Sequence, residues 1–191
     1  MINKNYKEIV LTGVDLTSYG HDLDDKISLG QLIKKILNDA PELNRLRLSS
    51  LDVAEIDPDL FDVIENESRL LPHIHLSLQA GDNMILKRMK RRHSRDDSIN
   101  LIKKIRDLRP DVVFGSDFIA GFPTETEEMF QNTINLIKEC NITFLHVFPF
   151  SPRKGTPAAR MPQVKGDIIK KRAEVLRQLA KKQIIKRWAT S

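Results

Sequence analysis

Apolar positions along the chain switch between two periods. Short runs rich in β-branched and aromatic residues occur at EIVLT (8–12), RLRLSS (45–50), HIHLSLQ (73–79), VVFGSDFIA (112–120) and ITFLHVFPF (142–150). Between them, apolar residues recur every three or four positions: Leu29, Leu32, Ile33, Ile36 and Leu37; Leu60, Val63 and Ile64; Ile99, Ile102, Ile105 and Leu108; Phe130, Ile134 and Ile137. Ile169, Ala173, Leu176, Ala180 and Ile184 make a last stripe. The first period is that of a strand, the second that of an amphipathic helix. Punctuation agrees. Asp57-Pro58 places a cap before a proline at the first helical position, and Thr124 with Glu127 has the spacing of a capping box. Five strand–helix units in succession predict an α/β fold with parallel strands and helical crossovers. It is either an open doubly wound sheet or part of a β/α barrel.

Alternation inside the strands carries more information than their existence. In the third, Ile74, Leu76 and Leu78 take one face, and His73, His75, Ser77 and Gln79 the other. Leu46 and Leu48 oppose Arg45, Arg47 and Ser49, while Asp117 shares a face with Val113, Gly115 and Ile119. A barrel interior filled only for packing is dominated by Val, Ile and Leu. A face of Arg, His, Ser, Gln and Asp predicts a wet or ligand-filled lumen, or else the exposed edge of an open sheet. The strand C-terminal ends, where ligands bind in both architectures, carry Thr12 to Asp15, Ser49-Ser50, Gln79 to Gly81, Asp117 to Gly121 and Phe150-Ser151. Glycine recurs at three of them, as it does where a backbone approaches a ligand or turns sharply.

Composition narrows the chemistry. The 191 residues suit one domain, and 40% hydrophobic with 30% charged residues is globular. Neither an apolar leader nor a run near the roughly 20 residues of a membrane span is visible, so a cytoplasmic location is expected. The net charge of +5 hides two clusters. Lys87 to Arg95 holds six basic residues and no acid, and residues 165–191 sum to +7, leaving −8 elsewhere. Such clusters are solvated helix faces or the footprint of a polyanion. The Pro/Gly-rich loop 151–163 precedes the last helix, dividing a core of residues 1–164 from a basic helix, 165–191, that packs on it. The lone Cys140 falls on the apolar stripe with Ile137 and reads as a buried thiol. One cysteine excludes an internal disulfide, and this chain alone cannot ligate an iron–sulfur cluster or a Cys-rich zinc site. His73-x-His75 is a metal pair or, preferred, hydrogen-bonded lumen histidines; no metal ligand is assigned.

Six motifs then stand in one order: EIVLTGVDLTSYG (8–20), RLSS (47–50), HLSLQAGD (75–82), ILKRMKRRH (85–93), SDFIAGFPTETEEMF (116–130) and FPFSPRKGTPAARMPQV (148–164). Together they resemble the radical S-adenosylmethionine (SAM) domain of methylthiotransferases, over about Glu8 to Gln183. The likeness is greatest to enzymes that methylthiolate N6-threonylcarbamoyladenosine beside the tRNA anticodon. Enzymes acting on isopentenyladenosine or on a ribosomal protein are their relatives.

The resemblance implies a partial (β/α)6 radical SAM barrel, strands two to six with their helices. It implies SAM as cofactor, tRNA as partner, and 4Fe-4S clusters in the complete enzyme with no ligands in this chain. The family's CxxxCxxC loop, N-terminal cysteine domain and TRAM domain are expected to lie outside it. The chain is accordingly expected to be a fragment, inactive alone, or completed by a separate N-terminal chain. In such enzymes SAM is cleaved reductively to a 5′-deoxyadenosyl radical, a second cluster supplies sulfur and a second SAM the methyl group.

By position, the resemblance places Gly13 and Asp15 near the methionine amino group, and Ser49, Ser50 and Gln79 along the SAM pocket. Arg91 would pair with a carboxylate or phosphate, and Asp117 to Gly121 would back the adenine. His75, Arg92, Phe150, Arg153 and Thr156 would face substrate. Thr124, Phe150 and Lys154 depart from the Gly, Tyr and Pro common among relatives. A reading from a different class, a non-catalytic RNA- or SAM-binding module, needs only the basic run and the strand ends.

Overall fold

The computed structural model describes residues 6–189. These form two compact units, the residues up to Ser77 with Leu101–Val113, and Leu78–Asn100 with the residues from Phe114 onward. All five expected strands and all five expected helices are present.

In the first unit, β1 (Glu8–Leu11) and β2 (Arg45–Leu48) run parallel, with Glu8 opposite Arg45 and Leu11 opposite Leu48. Leu46 and Leu48 are buried while Arg45 and Arg47 are exposed. Both arginines reach Glu8, at 2.6 and 2.8 Å, and these bonds, Arg45 first, hold its carboxyl below the ordinary range. On β2, then, the polar face is a solvated one, stitched by ion pairs. Isolated parallel bridges at Leu46–Leu70 and Leu51–Leu76 continue the pairing towards β3 (His73–Gln79).

Helices α1 (Leu29–Asp39) and α2 (Pro58–Asn66) pack through their N-termini. Asp57 caps α2 by accepting from Leu60 N at 2.9 Å, as the Asp-Pro pair predicts, and also accepts from Ser28 Oγ at 3.0 Å and Gly30 N at 3.2 Å. One carboxylate thus satisfies orphan donors of two helices. The approach needs Gly30, since a Cβ there would lie 2.2 Å from Leu60 N. At the opposite ends, Arg69 donates to Leu37 O at 2.9 Å, and Arg109 to Ile64 O and Glu67 O at 3.2 Å.

The second unit holds the end of β3 beside β4 (Val113–Ala120) and β5 (Phe144–Pro149), in that order. β4 and β5 run parallel, with Asp117 opposite His146 and Ile119 opposite Phe148. Phe114 and Phe118 are fully buried. α5 (Glu127–Glu139) lies against Gly81, where a Cβ would meet Thr133 Cα at 2.6 Å. Gly81 therefore serves helix packing, a use beside the ligand approach and sharp turn that its place at a strand end suggested. Cys140 is buried and caps α5 at its C-terminus.

Three expectations are corrected. Thr124 does not cap α5: the N-cap is Thr126, whose hydroxyl accepts from Met129 N at 3.2 Å, while Thr124 sits at φ +67° with its hydroxyl on Pro123 O. The basic run is not one helix face. It ends α3 (Asn83–Arg88), turns at Lys90 (φ +61°) and opens α4 (Arg95–Leu108). The buried face of α6 (Gly166–Ala189) includes Arg172 and Gln183 beside Ala173 and Leu176. Gln183 donates to Ile142 O at 3.1 Å. No helix among the described residues is long and apolar enough to cross a membrane.

Candidate functional site

In the first unit, parallel pairing brings the C-terminal ends of β1 and β2 to one edge, and Ser49 N donates to Leu11 O at 2.9 Å. Asp15 accepts from Thr17 Oγ1 at 3.1 Å, and its carbonyl accepts from Ser18 Oγ. Ser49 Oγ is buried without a hydrogen-bond partner among the described residues, and Ser50 is half-buried. A Cβ at Gly13 would find its nearest neighbour 3.7 Å away, so packing does not require glycine there. His75 is buried, and its carbonyl accepts from Leu51 N.

The second unit carries a cavity of about 350 Å³. Its floor is apolar. Phe122 belongs to a buried cluster with Ala80, Ile85 and Leu86, against which Met89, Ile119, Phe150, Ala158 and Met161 pack. Phe150 meets Phe122 edge to face, with centroids 5.3 Å apart. Gln79, Arg88, Lys90, Arg91 and Thr156 add polar groups to the lining. Gln79 holds φ +66° at the end of β3, a conformation that costs a non-glycine residue energy and gathers at functional sites. Arg88 Nη1 is buried with no hydrogen-bond partner among the described residues. An apolar cavity with a few convergent polar groups at parallel strand ends is the usual form of a small-molecule site.

The wall formed by residues 121–125 is held from behind. Gly121 turns at φ +75°, and a Cβ there would lie 2.6 Å from Ile169 of α6. Gly121 N donates to Glu125 Oε2 at 2.9 Å, and Arg172 reaches the same oxygen at 2.9 Å. Burial pushes the Glu125 carboxyl up to about 7, against the opposing pull of Arg172 and the Gly121 N–H. Thr124 N donates to Pro162 O, tying this wall to the loop that carries Met161.

Two further features share the unit. On one face of β5, Phe144, His146 and Phe148 are exposed, and His146 Nδ1 lies 3.2 Å from Asp117 Oδ1. A second, open cavity of about 410 Å³ is lined by Lys87, Lys90, Arg91 and Arg92 with Asn83, His93, Ser94 and Asp97.

Of the residues expected to bind ligands, Gln79, Arg91 and Thr156 come together at the first cavity, with Phe150 packed on its floor. Arg92 lines the second cavity, and Asp117 pairs with His146. Arg153 is exposed and lines neither; its carbonyl accepts from Thr156 Oγ1 at 2.8 Å. Arg88, Phe122 and Met161 escaped the sequence, while Ile119 falls within the Asp117 to Gly121 stretch expected at the adenine. Of the three that escaped, only Arg88 carried a signal, inside the basic run, and the other two look like ordinary core residues.

Comparison with known proteins identifies the family. The radical SAM superfamily model matches residues 1–137. The chain is 57% identical over 178 residues to the threonylcarbamoyladenosine tRNA methylthiotransferase MtaB of Rickettsia prowazekii, covering 93% of this chain and 42% of that protein. It is 37% identical to the tRNA-2-methylthio-N(6)-dimethylallyladenosine synthase of Neorickettsia sennetsu, covering 96% and 39%. The chain thus spans about two fifths of the length of these curated relatives. Coproporphyrinogen III oxidase (HemN) of Escherichia coli, a radical SAM enzyme, superposes with a TM-score of 0.69 at 15% identity, covering 93% of this chain and 40% of that one. That likeness shows the fold alone, an α/β arrangement consistent with part of a radical SAM barrel. By family model, relatives and fold, the chain belongs to the radical SAM superfamily, in its methylthiotransferase family.

Proposed function

We propose that this chain is the SAM- and RNA-binding part of a tRNA methylthiotransferase that acts on N6-threonylcarbamoyladenosine beside the anticodon. The observation that carries the reading is the 350 Å³ cavity at the ends of β3 and β4. Its floor of Ile119, Phe122 and Met161 suits an adenine ring, and Gln79 offers hydrogen bonds to a ribose. Arg91 supplies a cation for a carboxylate. Asp117 to Gly121 would back the adenine, with Gly121 held by Glu125. In the first unit, Gly13, Asp15, Ser49 and Ser50 are the proposed polar contacts at the strand ends, and the unpartnered Ser49 hydroxyl supports that use. His75, Arg92, Phe150, Arg153 and Thr156 are proposed on the substrate side.

Bound SAM would supply a methyl group and, on reductive cleavage, a carbon radical. The 4Fe-4S cluster is different. Cys140 is the chain's one cysteine, and it is buried as a helix cap, so these residues do not fit a cluster and no step is assigned through one. A tRNA substrate places the work in the cytoplasm. The subgroup is supported by 57% identity to a relative named for threonylcarbamoyladenosine, against 37% for one named for dimethylallyladenosine.

Two measurements test the proposal. S-Adenosylhomocysteine should bind the chain in calorimetry, and Ala158→Trp, which fills the cavity, should weaken it by more than about tenfold without lowering the melting temperature. Equal affinity in the variant would move the site elsewhere. Nucleoside mass spectrometry of tRNA from cells lacking the gene should show loss of the 2-methylthio form of threonylcarbamoyladenosine. Loss of the isopentenyladenosine derivative instead would reassign the substrate.

A further inference from the structure

The two cavities of the second unit are separated by one short segment. Lys90 and Arg91, between α3 and α4, line both of them. We propose that this segment seats an RNA phosphodiester on its outer side, and that it couples RNA binding to occupation of the inner cavity. The inference rests on the reading of the inner cavity as a SAM site.

The backbone of the segment is fixed independently of any ligand. Met89 N and Arg91 N donate back into α3, to Ile85 O and Leu86 O, and Lys90 takes the left-handed conformation that reverses the chain. His93 is buried, its Nε2 lying 3.3 Å from Leu78 O. Ser94 and Asp97 then close a reciprocal cap on α4, with Ser94 N to Asp97 Oδ2 at 2.8 Å and Asp97 N to Ser94 Oγ at 3.1 Å. Arg95 is drawn away, to Gly81 O, Asn132 O and Glu139. A pinned backbone thus presents Lys87, Lys90 and Arg92, all exposed.

The outer cavity has the chemistry of a phosphate seat. Four cationic side chains line it, and its single carboxylate, Asp97, is engaged by the Ser94 backbone and hydroxyl. At about 410 Å³ and open to solvent, it suits a continuous backbone of phosphates better than one small enclosed anion. RNA is the polyanion that the proposed function supplies.

Coupling follows from the shared side chains. A lysine loses much rotamer freedom when held, and a ligand that orders the exposed Lys90 from one side spares the second ligand that cost. The coupling is therefore positive, and it is equal in both directions.

The test uses the whole chain, a fluorescein-labelled anticodon stem–loop RNA and S-adenosylhomocysteine. Saturating S-adenosylhomocysteine should tighten RNA binding by about fivefold, and RNA should tighten S-adenosylhomocysteine binding by the same factor. The double variant Lys87→Ala/Arg92→Ala touches only the outer cavity. It should lower the slope of log affinity against log salt by about 1.4, at roughly 0.7 per phosphate contact on a single strand, and leave S-adenosylhomocysteine affinity unchanged. Lys90→Ala/Arg91→Ala should weaken both ligands and bring the coupling factor to about one, with an unchanged melting temperature as the folding control. If both ligands bind and neither alters the other, the coupling is wrong and the SAM reading stands. If RNA binds in a salt-dependent way and S-adenosylhomocysteine does not bind at all, the SAM reading and the coupling fall together and the phosphate seat remains. RNA affinity unaffected by Lys87→Ala/Arg92→Ala overturns the seat itself.

Discussion

Arg172 Nη1 lies 2.9 Å from Glu125 Oε2, and the two side chains are only 7% and 1% exposed. The pair joins the last helix to the wall of the apolar cavity, because the same carboxylate oxygen accepts from Gly121 N. Burial raises the folded-state pKa of Glu125 from 4.5 to about 7, with Arg172 the main opposing influence. A raised carboxyl stabilises the fold fully below pH 4.5, and that contribution is lost as pH rises through 7. Glu125→Gln removes the titration. In urea unfolding, the stability of the wild type relative to this variant should fall by on the order of 3 kcal/mol between pH 4.5 and pH 8. A relative stability that is flat or rises with pH would refute the assignment.

Arg172→Met should raise the Glu125 pKa further, since it deletes the principal group that lowers it. A buried carboxylate without its partner is costly when ionised, so the variant should lose about 3 kcal/mol at pH 8 and less at pH 6. Equal losses at both values would mean that only packing was removed.

Thr124 at φ +67° occupies a conformation suited to glycine. Thr124→Gly should stabilise the chain by about 0.5–1 kcal/mol, the relief of strain exceeding the entropy gained by the unfolded chain. A lower denaturation midpoint in the variant would show that the hydroxyl bond to Pro123 O matters more.

Asp57 serves two helices, accepting from Leu60 N, Ser28 Oγ and Gly30 N. Asp57→Ala should therefore cost about 2 kcal/mol, the upper end for a cap, in thermal or urea unfolding. Ser28→Ala, which removes the cap of α1 and one of the three bonds to Asp57 but leaves the cap of α2, should cost about 1 kcal/mol. Equal costs would contradict the shared role.

Gly81→Ala should destabilise by about 2 kcal/mol, because a Cβ there would overlap the backbone of α5 at Thr133 and Asn132. A neutral result would show that α5 shifts freely.

Where sequence and structure agree, the reason is local. Strands and helices follow the hydrophobic period, which is a property of neighbouring residues. Asp57-Pro58 and the burial of Cys140 were legible for the same reason: a cap and a stripe position are fixed within a few residues. The resemblance named Gln79, Arg91 and Thr156, which converge at one cavity in the second unit.

What was misread depended on partners far along the chain. Gly81 stood among glycines that approach a ligand or turn sharply, but it packs against α5, some fifty residues on. Arg172 and Gln183 lie off the apolar stripe of the last helix, yet their partners are Glu125, a carbonyl of α5 and one just before β5. The Thr124–Glu127 spacing fits a capping box, but the actual cap, Thr126, follows a turn whose carboxylate is committed to Gly121 and Arg172.

By itself, the sequence determined the order of strands and helices, the family, and a single thiol unsuited to a cluster, since these depend on local period, motif order and composition. Tertiary structure alone decided which basic residues face open cavities and which are anchors within the protein. Arg95 and Arg172 carry the same charge, but Arg95 holds the carbonyls of Gly81 and Asn132 while Arg172 holds a buried carboxylate, partners that only folding brings near. Charge is a property of the residue. The partner that uses it is a property of the fold.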